Sequence, residues 1–88
     1  MGIDFILGEK KYVKFDIKSS IGQAIIVTSA KYTLSLNGSV IESGDCEIIE
    51  GNTLQLLLQP ESKAKYDLEI EYEIPPEIRK VRCKVNVY

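Results

Sequence analysis

The chain has 88 residues, a formal net charge of −2, two cysteines and neither His nor Trp. That length suits a single domain over residues 1–88, with a small core. With no basic stripe interleaved with aromatics, nucleic-acid binding is disfavoured. No apolar run is long enough to span a membrane, and two cysteines without His make no zinc site.

In chain order, the run over 3–7 is short and apolar and ends at Gly8, which predicts an edge strand. Residues 1–5 show no basic region before an apolar core, so no secretory leader is expected and the chain is expected to be cytoplasmic when made. Ile6 stands where a myristoylation pattern wants Ser or Thr. Residues 12–18 alternate, with Val13, Phe15 and Ile17 on one face and Lys14, Asp16 and Lys18 on the other. Such period-two alternation marks a half-buried strand. Residues 19–23 read as a loop, with Gly22 available for a positive φ. Residues 24–28 are β-branched and fit a short strand or an extended connection.

Residues 31–36 alternate again, with Tyr32, Leu34 and Leu36 together, and run into Asn37-Gly38. That dipeptide is the strongest short-range hairpin signal. A two-residue turn places Ile41 opposite Leu34 on a return strand over 39–43, and Gly44-Asp45 is expected to break or bulge it. The strand resumes over 46–49, turns at Glu50-Gly51-Asn52 and returns over 53–59, with Leu54, Leu56 and Leu58 inward and Leu57 outward. Asn37-Gly38-Ser39 also matches a glycosylation acceptor, but the turn reading prevails without a secretion signal. Residues 60–64 could form one helical turn, with Pro60 at its first position.

The last third is the most regular. Tyr66, Leu68, Ile70 and Tyr72 share one face, opposite Asp67, Glu69, Glu71 and Glu73. After Pro75-Pro76, Val81, Cys83, Val85 and Val87 alternate with Lys80, Arg82, Lys84 and Asn86. Pairing acids with bases leaves two registers. One sets Glu73 against Lys80 and Glu69 against Lys84. The other sets Glu71 against Lys80 and Glu69 against Arg82. A one-residue slip would turn apolar groups to solvent and is excluded. These charges select register more than they stabilise, and they predict a solvated face. Seven or eight short strands with turns every eight to twelve residues predict an all-β antiparallel sandwich. Cys46 and Cys83 are expected as buried, reduced thiols.

Two resemblances follow. The stretch Ser62-Lys63-Ala64-Lys65-Tyr66-Asp67-Leu68 is similar to the Asp-x-Ala-x-Tyr-x-Cys corner of immunoglobulin domains, with Ser62 for Asp and Leu68 for Cys. Over most of its length the chain also resembles small Ig-like proteins encoded among bacteriophage and prophage structural genes, including N-terminal domains of baseplate upper proteins. The shared positions are Val13 to Ile17, Gly22-Gln23, Ala30, Tyr32 and Leu34, Val40, Ile41, Ser43 and Gly44, Gly51-Asn52, Tyr66, Val85 and Val87. The resemblance implies a single antiparallel Ig-like β-sandwich and a virion or prophage structural role, associated with the virion.

Chemistry finds little footing. Without His, acid–base catalysis would need perturbed carboxylates or lysines. The acids over 67–73 face cations, which lowers their pKa values, the wrong direction for a proton donor. Glu42, Asp45, Glu47 and Glu50 lack the dense spacing of calcium loops. No catalytic residue, cofactor, metal or small-molecule substrate is therefore expected. Tyr12, Leu57 and Tyr88 fall on outer faces and are the candidate protein-contact residues, for a partner or for self-assembly. Scattered surface apolar groups are the plainer explanation. The strands over 3–7 and 24–28 offer edges for a second chain. The alternative function is a carbohydrate or surface-ligand binding module, against which stands the dispersal of Tyr12, Tyr32 and Tyr88 along the chain.

Overall fold

The computed structural model describes residues 2–18 and 25–88. Among them are eight strands and no helix: β1 (Gly2–Phe5), β2 (Lys11–Asp16), β3 (Ser29–Leu36), β4 (Ser39–Asp45), β5 (Glu47–Ile49), β6 (Thr53–Leu58), β7 (Lys65–Ile74) and β8 (Glu77–Val87). No helix is long and apolar enough to cross a membrane. The strands form two sheets. One has five strands in the order β1-β8-β7-β3-β4, and the other has three in the order β2-β6-β5. Neither sheet closes on itself, so among the described residues β1, β4, β2 and β5 are the sheet edges. Every pairing is antiparallel except that of β1 with β8, which is parallel.

Alternation in the sequence becomes burial in the structure. Tyr66, Leu68, Ile70 and Tyr72 of β7, Cys83, Val85 and Val87 of β8 and Leu34 of β3 are buried. So are Leu54, Leu56 and Leu58 of β6 and Val13 of β2, and all of these residues join one core cluster. Fully burying a Leu side chain contributes about 1.5–3 kcal/mol, so this shared core holds the two sheets together. No polar or charged residue is buried among the described residues.

The hairpin of β7 and β8 settles the register. Glu71 lies opposite Lys80, Glu69 opposite Arg82 and Asp67 opposite Lys84. Ile74 pairs with Glu77 across a two-residue turn, Pro75-Pro76. That short turn selects the second of the two registers that charge pairing allows.

Several expectations need correction. The first strand ends at Phe5, and Leu7-Gly8 is already a turn. Of the two options for residues 24–28, the described part, residues 25–28, is a connection, so it supplies no edge strand. Val27 is buried and donates its N–H to the Gly51 carbonyl at 2.8 Å, while Thr28 donates to Glu73 at 2.9 Å. That connection thus bridges the two sheets and offers no edge. Residues 60–64 make no helical turn, because the segment bends into the start of β7. The return strand ends at Asp45 and the chain resumes as β5 in the other sheet, so the break expected at Gly44-Asp45 is present. A bulge lies earlier, where the pairing shifts between Leu34 and Ser35, so that Glu42 and not Ile41 stands opposite Leu34. The predicted loop over 19–23, with Gly22, and residue Ala24 lie outside the described residues.

The bulge has a steric reason. The turn at Asn37-Gly38 has positive φ at both positions, 52° and 83°, and starts the hairpin with Leu36 opposite Ser39. One residue of slip then brings Gly44 opposite Tyr32. A Cβ at Gly44 would lie 3.1 Å from Cε1 of that ring. The bulge therefore delivers the one residue without a side chain to the place the tyrosine ring covers.

Candidate interaction surfaces

The predicted contact residues are all exposed: Tyr12 at 59 %, Leu57 at 39 % and Tyr88 at 62 %. The structure brings two of them together. Tyr12 and Leu57 are register partners on the outer face of the three-stranded sheet. Tyr88 belongs to a different place, just after β8. Its N–H donates to the Phe5 carbonyl at 2.9 Å, and its carbonyl accepts from the N–H of Leu7 at 3.0 Å. Ile6 and Leu7 are exposed beside it. The sequence pattern did not single out Val40 and Ile41, exposed at 62 % and 51 % on the edge strand β4. Their position depends on the bulge, which local turn chemistry does not reveal.

The outer face of the five-stranded sheet is a closed charge ladder. Arg82 donates to Glu69 at 2.7 Å, Lys84 to Asp67, and Lys31 reaches Glu71 at 3.0 Å. Lys80 lies between Glu69 and Glu71 at 3.6 and 3.7 Å. The hydrogen bond from Arg82 holds the Glu69 carboxyl below the usual carboxylate range, and that from Lys31 does the same for Glu71. These charges are satisfied within the chain. A shallow depression of about 640 Å³ opens on this face between Thr33, Ser35, Gly38, Asp67, Glu69 and Arg82, and none of its lining residues is aromatic.

The two lateral flanks differ. Along the β1–β2 flank each acid accepts a hydrogen bond from a neutral donor, and Glu9 also lies 3.8 Å from Lys11. Asp4 accepts from Asn86 at 3.2 Å, Glu9 from the Ile6 N–H at 2.5 Å and Asp16 from Thr53 at 3.0 Å. Lys11 donates to the Asp4 carbonyl at 2.7 Å and sits 4.5 Å over the Phe5 ring. Lys10 and Lys14 are exposed and form no ion pair among the described residues. Along the β4–β5 flank, Glu42, Asp45, Glu47 and Glu50 are exposed and meet no cation among the described residues. Among the described residues, only Glu47 of these four has a side-chain donor, Gln55 at 3.3 Å. No group of three or more metal-ligating side chains is clustered among the described residues.

The cysteines are free thiols. Burial, aided by Asp45, pushes the Cys46 thiol up to about 11, and burial raises Cys83 as well. Both stay protonated at neutral pH, which makes them poor nucleophiles. Cys83 lies on β8, while Cys46 follows β4 at the far side of β7 and β3. Interstrand spacings of about 4.8 Å put them beyond disulfide reach.

No family model matches the chain, and no curated protein matches it. Among solved structures, the crystal structure of an engineered protein from the Northeast Structural Genomics Consortium is similar, with a TM-score of 0.80 at 15 % sequence identity. The match covers 99 % of this chain and 18 % of that one. At this identity the likeness shows the fold alone: a small all-β unit of two packed sheets.

Proposed function

We propose that this chain is a non-catalytic structural or adaptor module that works through protein–protein contacts, built as an Ig-like sandwich. The observation that carries the reading is the concentration of exposed apolar groups at or beside sheet edges: Tyr12 of β2 with its partner Leu57 of β6, and Val40 with Ile41 of β4. Apolar groups gathered this way are a common feature of contact surfaces.

Two features support the Ig-like assignment. The sets β2-β6-β5 and β3-β7-β8 take the places of strands B-E-D and C-F-G of that fold. The Tyr66 hydroxyl, buried at the start of β7, donates to the Ser62 carbonyl at 2.9 Å and lies 2.7 Å from the Ser62 hydroxyl. That is the tyrosine-corner arrangement. The phage or prophage virion role, in a baseplate, tail or head–tail position, rests on the resemblance in sequence positions alone.

The test is co-purification. A tagged copy expressed in the source cells should travel with phage-like particles through a density gradient after prophage induction. Particles that form without it would remove the virion role.

A further inference from the structure

We propose that a second copy of this chain docks head to tail on the first, with the β2 edge of one copy against the β4–β5 edge of the next. This names the partner for the contact role proposed above and rests on that reading. Three observations converge.

First, both are sheet edges: among the described residues β2 bonds only to β6, β4 only to β3 and β5 only to β6. Second, one flank carries lysines and the other is acidic throughout. Among the described residues Lys10 and Lys14 form no ion pair on the first flank, beside Asp4 and Asp16 with their neutral donors, whereas Glu42, Asp45, Glu47 and Glu50 form none on the second, where β4 and β5 contain no Lys or Arg. The charged outer face, by contrast, is neutralised from within. Third, each edge adds apolar surface to its charge, Tyr12 with Leu57 and Val40 with Ile41.

The acidic edge repels its own copy. Two β4 strands would bring Glu42 and Asp45 of one copy near those of the other, with no cation on that strand to relieve them. The bulge and the position of Glu42 on the core side of an edge strand also obstruct an arbitrary β-addition. Juxtaposed like charges discriminate strongly between docking modes. The charge-complementary contact is heterologous, and such a contact closes into a ring or continues as a filament.

The experiment is sedimentation velocity across a concentration series, at low salt and at about 0.5 M salt, where screening shortens to a few ångströms. The wild type should gain mass with concentration at low salt and lose that gain at high salt. Two double variants, Lys10→Glu with Lys14→Glu and Glu42→Lys with Glu47→Lys, should each associate at least about tenfold more weakly. Their equimolar mixture should associate again, because each reversed edge meets a complementary one. All four positions are exposed, and circular dichroism verifies folding. If a reversal fails to fold, Lys14→Gln and Glu47→Gln replace it, each weakening association without rescue on mixing. A wild type that stays monomeric to millimolar concentration, or reversal variants that fail to associate when mixed, overturns the proposal. Either result leaves the adaptor reading to the particle test. Absence from particles together with intact self-association removes the virion role alone.

Discussion

The outer face of the five-stranded sheet and the flanks of the molecule carry similar charges to different effect. On the face, Asp67, Glu69 and Glu71 stand in register with Lys84, Arg82 and Lys80, so each charge finds an opposite within the chain. On the flanks, Lys10 and Lys14 lie on one side of the fold and Glu42, Asp45, Glu47 and Glu50 on the other, and among the described residues none of these six forms an ion pair. A charge count treats the two regions alike. What separates them is whether strand register closes the pairing, and open pairing leaves charge for a second molecule.

The largest expected effect tests the base that both regions share. Leu68 and Leu54 are fully buried, one in each sheet. Leu68→Ala and Leu54→Ala should each lower unfolding free energy by about 2–5 kcal/mol in urea titration. Both should show one transition, as a single core requires. Two transitions in either variant would mean that the sheets, and therefore face and flanks, are separate cooperative units.

Next in size is the turn that launches the acidic edge. Gly38 has open space around an added Cβ but a φ of +83°. Gly38→Ala should cost about 1–2 kcal/mol from backbone conformation alone, read as a lowered melting temperature. An unchanged melting temperature would show that the turn can relax. Smaller again is Tyr66→Phe, which deletes the hydroxyl contacts with Ser62 and keeps the ring. It should cost about 0.5–1.5 kcal/mol. A neutral outcome would mean that the ring alone holds the corner.

The smallest effect belongs to the ladder itself. Glu69 and Glu71 have folded-state pKa values below their unfolded ones. Their contribution is therefore present above the ordinary carboxylate range and lost as pH falls through it. Arg82→Ala should flatten that acid-side slope and reduce its dependence on salt. A slope unchanged by Arg82→Ala would mean that the ladder sets register without affecting stability.

Much of this was legible from alternation alone. Tyr66 to Tyr72 and Cys83 to Val87 announce their buried face because a period of two is what a pleated strand imposes. Opposite charges narrowed the β7–β8 register to two choices, and the Pro75-Pro76 turn made the selection. The bulge was not legible. Asn37-Gly38 dictates the first pair of its hairpin, but the fit of the Tyr32 ring over Gly44 decides the rest, and that fit exists only in three dimensions. Residues 60–64 misled in the same way. Pro60 suits a helix start, yet the segment is fixed by Tyr66 reaching back to Ser62. At the contact surfaces, Tyr12 and Leu57 could each be assigned outward from sequence, but their adjacency depends on the pairing of β2 with β6, across some forty intervening residues.

The parallel pairing of β1 with β8 has a kinetic consequence. Gly2 and Lys84 are partners about eighty positions apart. Closing so long a loop costs chain entropy before any contact repays it. The β7–β8 hairpin needs only a two-residue turn. The hairpin is therefore expected to assemble early and the strand at Gly2–Phe5 to join last, on the millisecond-to-second scale typical of sheets built from distant segments.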